Sequence, residues 1–273
     1  MGHDMAEAPF PPNERRVTAF GPEAGSINLY AESALHAALK LHFAEPGDRL
    51  EVKVEGSIID LVKRLPNMSA EAAFPYDAKA LELVEIQTKG LGKIAAKVLS
   101  LSKGHRIRVV VPIALETKIA RLDPLTGEFL SERKSPKRGD LYSLFDELIH
   151  APSLIASPNV SIELALVLLR EIKTKDGSGS WRKRGDRVVA RELLEVVSTR
   201  RFRTRAEWLA LLPRGLPTEF TSSELGEKLG IGAARARKIL YAYAKAGLLI
   251  EAGKRGRMKA YTRSSPRRSR KAE

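Results

Sequence analysis

The spacing of apolar positions changes period several times along the chain. Residues 26–43 carry an apolar stripe at helical intervals and predict a first helix. Residues 50–55 and 57–63 instead alternate apolar and polar side chains, and Glu55-Gly56 separates them, which predicts a β-hairpin. The helical stripe consists of Leu29, Leu35, Leu39 and Phe43.

Two more strands and a helix follow in the pattern. Residues 81–89 predict a strand, 91–102 a helix that ends before Gly104, and 105–112 a strand rich in Val and Ile. The segments 118–122 and 128–132 flank a turn, which predicts a second hairpin. The order of elements up to residue 112 is therefore α-β-β-β-α-β, which predicts an α/β fold with a mixed sheet.

The middle of the chain has a different pattern. We expect a helical region at 140–172, broken near Pro152 and Pro158, and a helix or strand-helix element at 188–199. Thr204 and Glu207 have the spacing of a capping box, which predicts a helix through Leu212. The predicted parts are an irregular arm (1–25), an α/β domain (26–134), a basic, mainly helical connecting region (135–215), a C-terminal domain (216–263) and a disordered basic tail (264–273).

The C-terminal domain has a recognisable order of elements. Thr221 and Glu224 form a second capping box ahead of a helix that ends at Leu229, and a longer helix spans 233–246. Its inward stripe is Ala236, Ile239, Leu240 and Tyr243, and its outward residues include Arg235, Lys238, Ala242 and Lys245. Strands at 248–251 and 258–263 enclose a basic turn.

Two helices across a glycine turn, followed by a hairpin with a basic tip, resemble the winged helix-turn-helix family over residues 216–263. That resemblance implies duplex DNA binding, although winged helices also serve as protein-interaction modules. The residues that would contact DNA are Arg235, Lys238, Lys254, Arg255 and Arg257.

Charge supports a polyanionic partner. The net charge is +14, but residues 1–172 carry 21 Lys or Arg against 23 Asp or Glu. Residues 173–205 carry 11 against 4, and residues 206–273 carry 15 against 6. The excess positive charge lies in the C-terminal part, which points to nucleic acid, with a solubilising basic surface as the alternative. Trp181 beside Arg182, Lys183 and Arg184 would either stack on a base or anchor a loop to its own domain.

Composition excludes several classes of chemistry. The chain has no cysteine, so disulfides, zinc-thiolate sites and thiol catalysis are ruled out. We see neither a signal peptide nor an apolar run of the roughly 20 residues that span a bilayer, and we expect a cytoplasmic protein without a membrane partner.

Three acids stand out against apolar surroundings. Glu32 lies on or beside the inward stripe of the first helix, Asp60 within Ile-Ile-Asp-Leu-Val, and Glu85 within a predicted central strand. Either Glu32 faces the interior, or it lies at the edge of the stripe and reaches water. Hard oxygen ligands of this kind suit Mg²⁺ or Mn²⁺. His36 is interpreted as a packed histidine rather than a ligand.

A helix Glu, a strand Asp and a strand Glu-x-Gln on this order of elements resemble the PD-(D/E)xK nuclease superfamily over residues 26–113. The resemblance implies a restriction-endonuclease-like core and hydrolysis of a phosphodiester bond with Mg²⁺ or Mn²⁺. Asp60 and Glu85 would bind the metal, Ile86 would offer its backbone carbonyl, and Glu32 would complete the site. Many nucleases of this class act as dimers, so a homodimer is an open expectation.

One position departs from the superfamily pattern. Gln87 stands where a lysine is usual and would orient the attacking water, with Lys97 and Lys89 as substitutes. The sequence therefore predicts a DNA endonuclease with a winged-helix module. The alternative is a DNA-binding regulator or adaptor whose nuclease-like domain is inactive.

Overall fold

The computed structural model describes residues 33–64, 81–177 and 186–265. It is a mixed α/β structure with a large mixed sheet, as the pattern predicts. The longer helices are α1 (Ser33–Phe43), α2 (Leu91–Leu101), α6 (Ser222–Leu229) and α7 (Ala233–Lys245). The short helices are α3 (Phe145–Leu148), α4 (Ser153–Ala156) and α5 (Arg205–Leu209).

Within the described ranges, ten strands form two sheets. The strands of the larger sheet are β1 (Arg49–Val54), β2 (Ser57–Arg64), β3 (Leu81–Ile86), β4 (Arg106–Leu122), β5 (Phe129–Lys134), β6 (Val160–Thr174) and β7 (Arg187–Phe202). The strands of the smaller sheet are β8 (Glu219–Thr221), β9 (Leu249–Arg255) and β10 (Met258–Arg263), in the order β8-β10-β9.

The larger sheet has the order β1-β2-β3-β4-β6-β7, and β5 pairs with β4 outside this path. Strand β1 is antiparallel to β2, and β2 is antiparallel to β3, whereas β3 and β4 are parallel. A parallel pair needs a crossover connection, and α2 supplies it. The order α1-β1-β2-β3-α2-β4 therefore agrees with the predicted α-β-β-β-α-β.

The first hairpin forms at the predicted turn. Val54 pairs with Ser57, so Glu55 and Gly56 are the two loop residues. Both have positive φ, 45° and 80°, as a type I′ turn requires at both central positions. Glycine adopts this conformation without strain, which accounts for its place in the turn.

The chain divides into two compact units. One contains residues 1–44, 112–141 and 164–200, and the other contains 45–111, 142–163 and 201–273. In the first unit, charged side chains on β4 to β7 pair across strands, with Arg170 near Glu132 and Glu192, and Arg191 near Glu171. The second unit holds β1 to β3, α2 and the C-terminal elements.

Two predictions for the middle of the chain were wrong. Residues 160–172 belong to strand β6, not to a helical region. The earlier part of that predicted region, from residue 140, contains only short helices, among them α3 and α4. The 188–199 element lies within strand β7. From Val160 to Val167 every residue is buried, and residues 164–169 are all apolar, a run that periodicity alone does not separate from a helix.

The predicted bounds of the third and fourth strands also change. Strand β3 ends at Ile86, so Gln87 and Lys89 lie beyond it and not on its face. Strand β4 runs without interruption through Pro112 and includes the first arm of the second hairpin.

Both capping boxes in the C-terminal part are confirmed. The Thr204 side chain accepts a hydrogen bond from the Glu207 N–H, and Thr221 does the same for Glu224, at the starts of α5 and α6. Behind these helices Phe145, Phe202, Trp208 and Tyr243 form a buried aromatic cluster, in which Phe202 stacks on Trp208 at 4.6 Å between ring centroids. Such pairs add roughly 0.5–1.5 kcal/mol beyond their buried area.

Several expectations concern residues outside the described ranges. They are the N-terminal arm, the first residues of the predicted first helix with Glu32, the 65–80 connection, the cluster from Trp181 to Arg184, and the end of the basic tail. Across the part of the chain that is described, no helix is both long and apolar enough to cross a membrane.

Candidate functional site

Strands β2 and β3 bring two acids side by side. Leu61 pairs with Val84 and Val62 with Leu83, so continuing the antiparallel register by one residue sets Asp60 opposite Glu85. Directly opposed side chains in such a pair have Cβ atoms about 4.5–5.5 Å apart. Both acids lie on the sheet face opposite Val84, and Glu85 is buried with an exposed fraction of 8%.

A backbone hydrogen bond orients Asp60. The N–H of Ile86 donates to its Oδ2 at 2.8 Å, across the gap between the two strands. A carboxylate that accepts a backbone N–H is stabilised in its ionised form. The bond therefore fixes the orientation of the Asp60 carboxylate at the edge of β3.

Helix α2 supplies a cation to this pair. Lys97 Nζ donates to Glu85 Oε1 at 2.8 Å and to the backbone carbonyl of Ile58 at 2.6 Å. Its side chain is 26% exposed against 11% for that of Glu85, so the ion pair lies near the surface but is shielded from bulk water. Asp60, Glu85 and Lys97 therefore form one cluster of charged side chains at the β2–β3 edge.

Gln87 and Lys89, the other two residues predicted to orient the attacking water, lie between β3 and α2. The Gln87 side-chain amide donates to the backbone carbonyls of Lys89 and Gly90, in the turn that precedes α2. Lys89 lies in the bend after β3. The sequence ranked Gln87 first as the group that would orient the attacking water. In the structure it is Lys97, on α2, that donates to Glu85 on β3.

Two acidic side chains do not by themselves make a recognisable metal centre. Among the described residues, no three His, Asp or Glu side chains come together as a metal-binding group. Glu32, the expected third acid, precedes the first described residue. Asp60 and Glu85 nonetheless provide the hard oxygen donors that Mg²⁺ or Mn²⁺ favours, on neighbouring strands.

The other face of β3 carries a different charge cluster. Glu82 accepts from Arg108 at 2.7 Å and also pairs with Arg201, while Glu163 accepts from Arg108 at 2.9 Å. Ser161 Oγ accepts from Arg201 at 2.7 and 2.9 Å. The cluster joins β3, β4, β6 and β7.

Burial and pairing oppose each other in this cluster. Burial disfavours the charge of Arg108, but the Glu82 and Glu163 carboxylates outweigh it and raise the Arg108 pKa. For Arg201 burial prevails, and its pKa is lowered. Both guanidiniums stay charged at neutral pH because their pKa is so far above it.

Helix α3 connects α2 to α7. Its Glu147 accepts from the N–H of Leu91 at the start of α2, and its Asp146 pairs with Lys238 of α7 at 2.6 Å. The α2 start also packs tightly against His150, because a Cβ on Gly92 would lie 3.0 Å from the His150 Cβ. The helix that carries Lys97 and helix α7 are therefore braced by the same short helix.

The predicted nucleic-acid contacts fall into two groups. Lys254 and Arg257 are exposed at the β9–β10 turn, whereas Arg255 pairs with Glu224 at 2.8 Å and Lys238 with Asp146. The predicted inward stripe of α7 is buried, but Ala242, expected outside, is buried as well. Arg235 is half-buried.

Sequence reasoning missed the exposed stripe of α7. Arg237 and Tyr241, one helical turn apart, face outward with Lys245 a further turn on. The inward stripe of α7 does not by itself show which of the two neighbouring sides of the helix is exposed. In the structure, α3 covers the side that carries Lys238. The spacing of four residues between Arg237 and Tyr241 was the available signal.

Comparisons with known proteins identify the family. Residues 33–203 match the family described as Domain of unknown function (DUF8091). The chain is also 32% identical over 241 residues to an uncharacterized protein of Treponema pallidum (strain Nichols), covering 88% of this chain and 89% of that protein. No solved structure matches the chain. The chain therefore belongs to the DUF8091 family, whose matched region contains Asp60, Glu85 and Lys97 and ends before α5.

Proposed function

We propose that this chain is a divalent-metal-dependent DNA endonuclease with a restriction-endonuclease-like core. The observation that carries the proposal is the cluster at the β2–β3 edge, where Glu85 lies 2.8 Å from the Lys97 ammonium and opposite Asp60. The surrounding order, with β1 to β3 antiparallel and β3 parallel to β4 across α2, agrees with the superfamily frame. The lysine comes from α2 rather than from the Gln87 position.

The residues present fit a divalent cation. Asp60 and Glu85 are carboxylates on neighbouring strands, and carboxylate oxygens are the preferred donors for Mg²⁺. Asp60 and Glu85 would hold the ion, with Glu32 as the expected third ligand. The chemistry that such an ion supplies is a bound water of lowered pKa and neutralisation of phosphate charge.

The protein groups then have separate roles. The Ile86 N–H fixes the orientation of the Asp60 carboxylate, so this side chain is preorganised before substrate arrives. Lys97 donates to Glu85 and to the Ile58 carbonyl, and its third N–H is left to donate to the attacking water or to a phosphate oxygen, since an ammonium has three N–H donors. Lys97 thus takes the role that the superfamily lysine has.

The C-terminal elements would hold the DNA. We interpret α5 to α7 with β8 to β10 as a winged helix-turn-helix. The turn at Gly230–Gly232 and the exposed cations at the β9–β10 turn support this interpretation. Charge in this part of the chain is strongly positive. We also propose a cytoplasmic location.

Cleavage of DNA tests the proposal. Supercoiled plasmid, linear duplex, single-stranded and branched DNA are incubated with the full chain and Mg²⁺, Mn²⁺ or EDTA. We expect cleavage with a divalent ion, no cleavage in EDTA, and loss of cleavage in Asp60→Asn and Glu85→Gln with DNA binding retained. Cleavage that survives both substitutions would show that the site is elsewhere.

A second candidate is a DNA-binding regulator with an inactive nuclease-like domain. The observation in its favour is that the Gln87 amide is bonded to its own backbone turn. DNA binding that weakens steeply with salt, without cleavage of any DNA form, would favour the regulator. Calorimetric titration with Mn²⁺ separates the two further, because only the nuclease needs a metal at Asp60 and Glu85.

A further inference from the structure

A groove lies between the exposed face of α7 and strand β10. Its volume is about 470 Å³, and Arg237, Tyr241, Arg257, Met258, Lys259 and Tyr261 are among the residues that line it. Tyr241 is 45% exposed and Met258 42% exposed. The lining therefore combines cations with aromatic and apolar side chains, which is a different chemistry from that of a purely cationic surface.

A second groove flanks α7 on its other side. It measures about 440 Å³ and is bordered by Ile149 and His150, after α3, and by Arg237, Lys238 and Tyr241 of α7. Arg237 and Tyr241 therefore form a ridge between two grooves. Lys245 adds a cation 5.9 Å from the centre of the Tyr241 ring.

The flanks of α7 argue against its insertion into a duplex. A helix that enters a major groove about 12 Å wide brings phosphates along both of its sides. Here Asp146 lies along one side of α7, paired with Lys238 at 2.6 Å, and places a carboxylate where a phosphate strand would pass. The exposed stripe of α7 runs from Ala234 to Lys245. Within it, Arg237 is the side chain that could make a bidentate contact with a base edge in a major groove.

The same features suit an unpaired strand. Proteins that bind single-stranded nucleic acid combine a cationic groove along the backbone with aromatic rings on which bases stack. Arg237 and Arg257 would contact phosphates, and Tyr241 would stack on a base. We infer that the α7–β10 groove binds single-stranded DNA, so the substrate carries an unpaired segment. The choice of DNA rests on the proposed function.

Fluorescence anisotropy tests this inference. The full chain in EDTA is titrated into a fluorescein-labelled 20-nucleotide oligothymidine and, separately, a labelled 20-base-pair duplex at equal salt. We expect the single strand to bind at least tenfold more tightly. Tyr241→Ala should weaken single-strand binding about tenfold and leave duplex binding unchanged, since one stacked base is lost.

Matched variants separate stacking from folding defects. Tyr241→Phe keeps the ring and should retain single-strand affinity, and Lys103→Ala, an exposed lysine at the end of α2, should change neither affinity. Arg237→Ala should weaken single-strand binding and reduce its salt dependence, because a phosphate contact is removed.

The outcomes for the groove and for the nuclease are distinguishable. Tighter binding of the duplex, or no effect of Tyr241→Ala on the single strand, would overturn the inference even if the chain cleaves DNA. Single-strand binding through Tyr241 in a chain that cuts no DNA form would support the groove and overturn the nuclease. If neither probe binds, the inference fails together with the DNA partner.

Discussion

Strand β3 carries two buried carboxylates that face opposite sides of the same sheet. Glu82 is 6% exposed and Glu85 is 8% exposed, so burial does not distinguish them. Their partners do. Glu82 meets the guanidiniums of Arg108 and Arg201. Glu85 meets the flexible ammonium of Lys97 and lies opposite a second acid, Asp60.

The difference separates a structural ion cluster from a candidate site. Around Glu82, two acids and two arginines balance, and the planar guanidiniums hold fixed geometries across four strands. Around Glu85, carboxylates from two neighbouring strands meet a lysine from α2, and carboxylate oxygens are the donors that a divalent cation prefers. In the proposed nuclease, Asp60 and Glu85 would hold such an ion beside the flexible Lys97.

The largest expected effect is on the Glu85 face. Glu85→Gln should lower cleavage by about a thousandfold or more, because metal-based stabilisation of the transition state is worth several kcal/mol. Its midpoint of urea unfolding should stay near that of the wild type, since glutamine has nearly the same shape and keeps an oxygen that can accept from Lys97. Cleavage assays and equilibrium unfolding measure both. An unfolded variant would place Glu85 with Glu82 as a structural residue.

Removal of the lysine tests its role as the catalytic amine. Lys97→Met should reduce cleavage about 10²- to 10³-fold, within the range for a lost general acid–base group. Lys97→Arg should recover part of the activity, since it keeps the cation. Lys93→Met, one turn earlier on α2 and exposed, is the matched control and should be neutral. An equal loss in both variants would rule out a special role for Lys97.

On the Glu82 face the effect should be on stability. Arg108→Met leaves Glu82 and Glu163 buried without that partner and should cost about 3–5 kcal/mol of unfolding free energy. Arg106→Met is the matched control on the same face of β4, and it should stay within about 0.5 kcal/mol because Arg106 is exposed. Denaturant unfolding gives both values. A neutral Arg108→Met would contradict a structural cluster.

The smallest effect should come from Ser161. Ser161→Ala removes an acceptor for two N–H groups of Arg201, and the loss should be about 1.5–3 kcal/mol, as for a hydrogen bond to a charged group. Thermal unfolding measures the change, and cleavage per folded molecule should equal that of the wild type. A drop in cleavage without a drop in stability would mean that the two faces of β3 are coupled.

Local pattern was informative where one face of an element is polar. The β1–β2 hairpin, helix α2 and both capping boxes could be predicted because turn residues, caps and periodicity all act within a few residues. Strand β6 could not, because residues 164–169 form an apolar run without a period of two. Asp60 and Glu85 were identifiable as acids within apolar strands, but Arg237 and Tyr241 were not, since the exposed flank of α7 depends on α3.

The sequence by itself determined the order of elements from α1 to β4, the two strand acids, and the positive charge of the C-terminal part. These properties depend on side-chain types and short-range spacing. Only the tertiary structure decided that Lys97 meets Glu85, that Arg108 and Arg201 neutralise Glu82, and that α3 covers one flank of α7. Each of these contacts joins residues that are distant along the chain, and packing selects among several cations that the sequence makes equally available.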